Sequence, residues 1–251
     1  MKSSNRIFKL HPLTLIILLI SLLTGYFKYI LMIFIIVLIH EGGHLFFAKI
    51  FKRRIVSVSL LPFGGLTKID AKISEDIWED LLIAVGGIFF QSLFGFILIF
   101  LYNKGGIEWE WFKFLSTYNV FIITFNLLPI CPLDGYKMLR LLSEIVMPYK
   151  LAFALTSLFS IATLVTMVVC FYKVCMDNIF VMLFLLAMTM SEIRSHKYAC
   201  LKFYLERMNY DFHFARADVP KIEAMYKNRV NYIENVHEKK VLRKHFTSKD
   251  E

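Results

Sequence analysis

Residues 29–51 read YILMIFIIVLIHEGGHLFFAKIF. A helix crossing a hydrocarbon core needs about 20 mainly apolar residues, and this stretch has that length and character. Its second half carries His40, Glu41 and His44. Ionisable side chains inside a spanning helix are costly and mark function by default. On a helix, positions i and i+4 share a face, so both imidazoles can reach one metal ion. Glu41 beside them can take a proton from a metal-bound water, whose pKa zinc would bring toward neutrality. This pattern points to metal-assisted peptide hydrolysis. The plainer reading is a pair of core histidines bonded to backbone or to one another.

The rest of the chain agrees with a membrane setting. It has 251 residues, 57% hydrophobic, 16% aromatic and 20% charged, with a mean hydropathy of +0.58. A soluble domain is roughly 45–50% apolar and about a quarter charged. One globular core of this size could not hide the excess. Disorder, collagen and coiled coil are excluded on the same grounds. The four cysteines form no CxxC pair, so neither a disulfide framework nor a zinc ribbon is expected.

We read about six spans: residues 13–24, 29–51, 81–102, 112–128, 151–172 and 179–190, the last extending toward Ile193. The expected fold class is an all-α membrane protein with a short membrane-surface β-hairpin and a helical cytosolic tail. No small-x-small cleavage site follows the first apolar run, so no cleavable signal peptide is expected. Lys and Arg gather before span one, between spans two and three, between spans four and five, and after Ser191. The other connections carry Lys28, Lys104 and Lys173. By the positive-inside rule, both termini then lie in the cytosol of a multi-pass cell-membrane protein.

Two cytosolic pieces have their own character. Residues 55–70, IVSVSLLPFGGLTKID, are rich in β-branched residues around Gly64-Gly65 and read as the hairpin. We place a membrane domain at residues 1–193 and a basic tail at 194–251. The tail has no glycine and one proline, Pro220, which suits short amphipathic helices rather than a sheet. It reads as a solvated, membrane-proximal segment, with anionic lipid or an acidic partner as the alternative.

Two histidines need a third protein ligand, with water in the fourth position. The candidate stretch is NLLPICPLDG, Asn126 to Gly135. Pro129 and Pro132 break the helix, and Gly135 permits a tight bend. Broken backbone at membrane depth is tolerated where it lines a cavity or packs in protein. His40 and His44 shortly precede the basic cluster at Lys52, and Asp134 follows span four at the same face. Asp134 can thus meet the histidines as third ligand. Cys131 competes as a thiolate ligand. Cys170, Cys175 and Cys200 read as buried or lipid-facing thiols. His196, His213, His237 and His245 read as solvated.

HEGGH in an apolar helix, LLPFGG shortly after it and NLLPICPLDG two spans later resemble the site-2 protease family of intramembrane zinc proteases. The resemblance covers about residues 10 to 195 and is similar, within that family, to its sporulation branch. It implies zinc held by His40, His44 and Asp134, with Glu41 as catalytic base. Asn126 matches the asparagine that opens the family's second motif. Leu61 to Gly65 match a membrane-inserted loop that helps hold an extended substrate by strand addition. Tyr136 and Lys137 stand where relatives often have a second glycine and an arginine. Ala84 to Gln91 takes the place of a Gly-Pro with a nearby Asn, and Gln91 either replaces that Asn or bonds within the bundle. No complete CBS domain and no PDZ domain are expected.

The resemblance implies a membrane-associated protein substrate, such as a sigma-factor precursor, inhibitory membrane partners, and in a sporulating cell the membrane around the forespore. No nucleic-acid partner is expected. The rival classes are a non-catalytic membrane scaffold or metal-binding protein, and a general peptidase of signal-peptide remnants.

Overall fold

The computed structural model describes residues 8–10, 12–61, 64–70, 76–170, 172–173, 178–212 and 214–247. Cys175, His213 and the hairpin tip at residues 62–63 lie outside them. The chain forms two compact units: residues 1–71 with 82–127, and residues 72–81 with 128–251.

The first unit holds helices α1 (Pro12–Leu23) and α2 (Phe27–Ile50), most of α3 (Ile77–Asn103) and all of α4 (Trp109–Asn126). Left-handed glycines close two of these helices: Gly25 (φ 78°) after α1 and Gly105 (φ 72°) after α3. Glycine adopts that conformation without the β-carbon penalty. The expected hairpin is present as β2 (Arg54–Leu61) and β3 (Gly64–Asp70). A strand not foreseen, β1 (Phe8–Leu10), adds to β2 in parallel. The sheet order is β1-β2-β3, so β2 is central. Ile36 of α2, Leu98 of α3 and Leu115 of α4 form a buried cluster.

Among the described residues, four helices are long and apolar enough to cross a membrane: α2, α3, α6 (Tyr149–Cys170) and α7 (Ile179–Asn209). The other two expected spans correspond to α1, which has 12 residues, and to α4, which carries Glu110 and Lys113. Large apolar side chains such as Phe96, Phe100, Val169 and Phe180 lie exposed on the long helices. Exposed apolar surface of this kind is what lipid covers.

The second unit contains α5 (Asp134–Val146), α6, α7 and the tail. Where only short helices were expected, the tail folds a three-stranded sheet. Its strands are β4 (Arg216–Val219), β5 (Val230–Ile233) and β6 (Val236–His237), followed by helix α8 (Glu238–Thr247). β4 pairs with β5 in parallel and β5 with β6 antiparallel. The hairpin turn is Glu234-Asn235, with φ of 51° and 63°. Two successive positive φ values match a strand pair's own twist, and glycine usually supplies them. The missing glycine and the very short strands hid this sheet from a pattern reading.

The tail is seated on the helices of its unit. Tyr149 and Phe203 stack at 4.5 Å between ring centroids. Cys200, Val219, Met225, Ile233 and Leu242 complete that core. Arg207 is fully buried and donates to Glu238, whose carboxylate also accepts from Asn231. Lys227, 4% exposed, lies 3.2 Å from Asp80 and 3.3 Å from Glu144 of α5. Removing one partner of a buried ion pair costs about 3–5 kcal/mol, because the remaining charge is left uncompensated. We therefore expect Lys227→Met to destabilise the second unit by about that amount, read as earlier proteolysis of the tail in detergent-purified protein. Native resistance in the variant would show that the lysine does not anchor the tail.

Candidate metal centre and active site

His40, Glu41 and His44 are buried in the second half of α2. Their ligand atoms lie within 4.8 Å of one another. His44 Nδ1 stands 2.7 Å from the main-chain carbonyl of Ile83. A carbonyl only accepts, so Nδ1 is the donor and His44 Nε2 keeps a lone pair. His40 Nδ1 stands 2.8 Å from Gln91 Oε1 and donates to it in the same way. The two Nε2 atoms stand 3.1 Å apart. Two nitrogens each about 2.0–2.1 Å from a tetrahedral ion stand roughly 3.3 Å apart. The imidazole pair therefore fits a single divalent metal, with Glu41 next to it in the chain.

These bonds depend on a close crossing of α2 and α3. A β-carbon on Gly43 would stand 2.1 Å from the Gly86 carbonyl oxygen. One on Gly87 would stand 2.6 Å from His40 Cε1 and from His44 Nε2. Ile83, Gly87 and Gln91 recur every fourth residue and so share one face of α3. That stripe faces the His40–His44 stripe of α2: a carbonyl serves one ring, an amide serves the other, and bare backbone lies between. Gly42 would carry a β-carbon with nothing within 4 Å. From α4, Asn119 Nδ2 donates to the Gln91 main-chain oxygen at 3.0 Å. Asn119 was missed in the sequence reading. Its signal was a polar amide inside a largely apolar helix.

Asp134 belongs to the second unit. It is buried in the first turn of α5, where a carboxylate is favoured by the helix dipole. Lys137 Nζ lies 2.9 Å from its Oδ1. The bend falls before the aspartate, at residues 127–133, and Gly135 already lies in the helix. Extended Leu133 (ψ 160°) after the prolines makes the turn, so Gly135 is not needed for it. Two hydroxyls fix this turn: Cys131 N–H donates to Ser160 Oγ at 3.0 Å, and Thr189 Oγ1 donates to the Cys131 carbonyl at 3.3 Å. Tyr136 meets Ser157 Oγ at 3.3 Å. Burial raises the Tyr136 phenol above its usual pKa, against the pull of that hydroxyl and of Arg140.

Among the supporting candidates, Asn126 Nδ2 donates to Ile122 O of its own helix at 3.0 Å. Pro129 lies in the bend, and Gly64 and Gly65 pair with Leu61 and Leu60 in the hairpin.

The crossing gives a test with its own control. Gly87→Ala should remove bound divalent metal, because a methyl group would occupy the space of both imidazoles. Gly42→Ala should keep it. Elemental analysis of the two purified variants decides, and full metal in Gly87→Ala would refute the geometry.

Comparison with known proteins identifies the chain's family. Residues 28–107, which take in α3 and all of α2 but its first residue, match Peptidase family M50. The chain is 34% identical over 200 residues to stage IV sporulation protein FB of Bacillus subtilis, covering 78% of this chain and 69% of that protein. It is 31% identical over 113 residues to a zinc metalloprotease of Methanocaldococcus jannaschii, covering 44% of this chain and 32% of that one. The solved site-2 protease from Methanocaldococcus jannaschii has a similar fold, with a TM-score of 0.59 at 23% identity. That match covers 76% of this chain and 93% of the solved one. With the M50 match and the sporulation protein covered over more than two thirds of its length, the chain belongs to peptidase family M50.

Proposed function

We propose that the protein is an intramembrane zinc endopeptidase that cuts a membrane-associated protein near the cytosolic face. The observation that carries this reading is the approach of the two histidine Nε2 atoms to 3.1 Å beside Glu41. His40 and His44 would hold the zinc, with Asp134 as third ligand. Bound zinc supplies a lowered pKa for water and polarisation of a carbonyl. Glu41 would accept the proton of the attacking water and pass it to the leaving amine. Gln91 and Ile83 keep the two rings turned toward the ion. A helical substrate hides its amides, so a stretch of it must be unwound before attack. The β2–β3 hairpin supports a holding role, because β3 pairs only with β2 among the described residues. Strand addition along β3 would present an extended peptide.

The family resemblance extends this reading to a sigma-factor precursor as substrate, inhibitory membrane partners, cytosolic termini and a membrane around the forespore. Coexpression with a membrane-associated sigma-factor precursor tests it. The native chain should cut the precursor. Glu41→Gln should lower cleavage by about 10²- to 10⁴-fold, the range for losing a general base. Asp134→Ala should lose bound zinc as well as cleavage. Cleavage surviving Glu41→Gln at equal expression would overturn the mechanism.

A further inference from the structure

We infer that Gln91 is the positioning residue for metal ligand His40, its side-chain oxygen fixing the direction of that ring. The inference rests on the reading of His40 and His44 as a metal pair.

Gln91 is fully buried on α3, and Asn119 is nearly so on α4. The Gln91 oxygen meets His40 Nδ1 at 2.8 Å, and Asn119 holds the Gln91 main chain at 3.0 Å. Three helices are thereby joined through one residue, by its side chain to α2 and by its main chain to α4. A metal-ligating histidine needs its other nitrogen held as a donor, which fixes both tautomer and ring direction. Gln91 Oε1 supplies that acceptor. The Gln91 Nε2 atom has no hydrogen-bond partner among the described residues.

Zinc affinity measured against a chelator, in detergent-purified full-length protein, tests the assignment without any substrate. Gln91→Met, similar in shape, should bind zinc about 10- to 100-fold more weakly, the usual effect of losing such a partner. Gln91→Glu keeps the accepting oxygen and should bind at least as tightly as the native chain. The cobalt-substituted proteins should show a shifted visible spectrum for Gln91→Met and a native-like one for Gln91→Glu. Native zinc affinity and spectrum in Gln91→Met would overturn the proposal. So would equal weakening in both variants, which would mean that shape rather than an acceptor matters. If Gln91→Met does not fold, Gln91→Glu carries the test, and a folded carboxylate variant that loses zinc overturns it. A native chain that binds no zinc at all would remove the metal reading, and this proposal with it.

Discussion

Backbone meets backbone where α2 crosses α3, and everything at the centre depends on that contact. Gly43 and Gly86 leave no room for a β-carbon on either side. In lipid, apolar side chains gain little by leaving their surroundings, so small residues and close van der Waals contact hold helices together. The same closeness lets a main-chain carbonyl and a side-chain amide reach two imidazoles in an otherwise apolar layer. Without them the two rings would be buried polar groups with unsatisfied nitrogens, each costing about 1–3 kcal/mol.

The second unit solves a different problem. Asp134 is an acid at the start of a strongly amphipathic helix, and α5 must be held on its buried side. Arg140 does much of this: it bonds Glu144, Glu192 and the Tyr149 hydroxyl, and its guanidinium lies 4.3 Å from the Phe153 ring centroid. Lys227 adds a bond from the tail to the same helix. The tail is therefore structurally continuous with the helix that carries the aspartate. Its small sheet buries Val219, Met225 and Ile233 against the ends of α6 and α7.

The central site was largely legible because its signals are local. HEGGH needs only the helical repeat to be read, and Ile55 to Asp70 shows its hairpin in β-branched residues around two glycines. The partners were less legible, because they come from other helices. Gly86 and Gly87 sit in an apolar run whose periodicity does not say which neighbour they touch. Gln91 could be read as a ligand-side residue or as a bundle contact, and only the 2.8 Å bond to His40 decides between them. The tail sheet escaped for a further reason: its strands span two to four residues, too few for an alternating pattern to stand out.

The stripe Ile83, Gly87, Gln91 also acts as a ruler. Each residue turns an α-helix by about 100°. Deleting one position between Gly87 and Gln91 would swing the amide a quarter turn or more away from His40 while leaving the glycine contact intact. Adding four positions would bring it back nearly to the same face, but one turn further along. The centre is thus keyed to a count of residues as well as to their kinds. Changes in helix length are accommodated only beyond the two ends of that stripe.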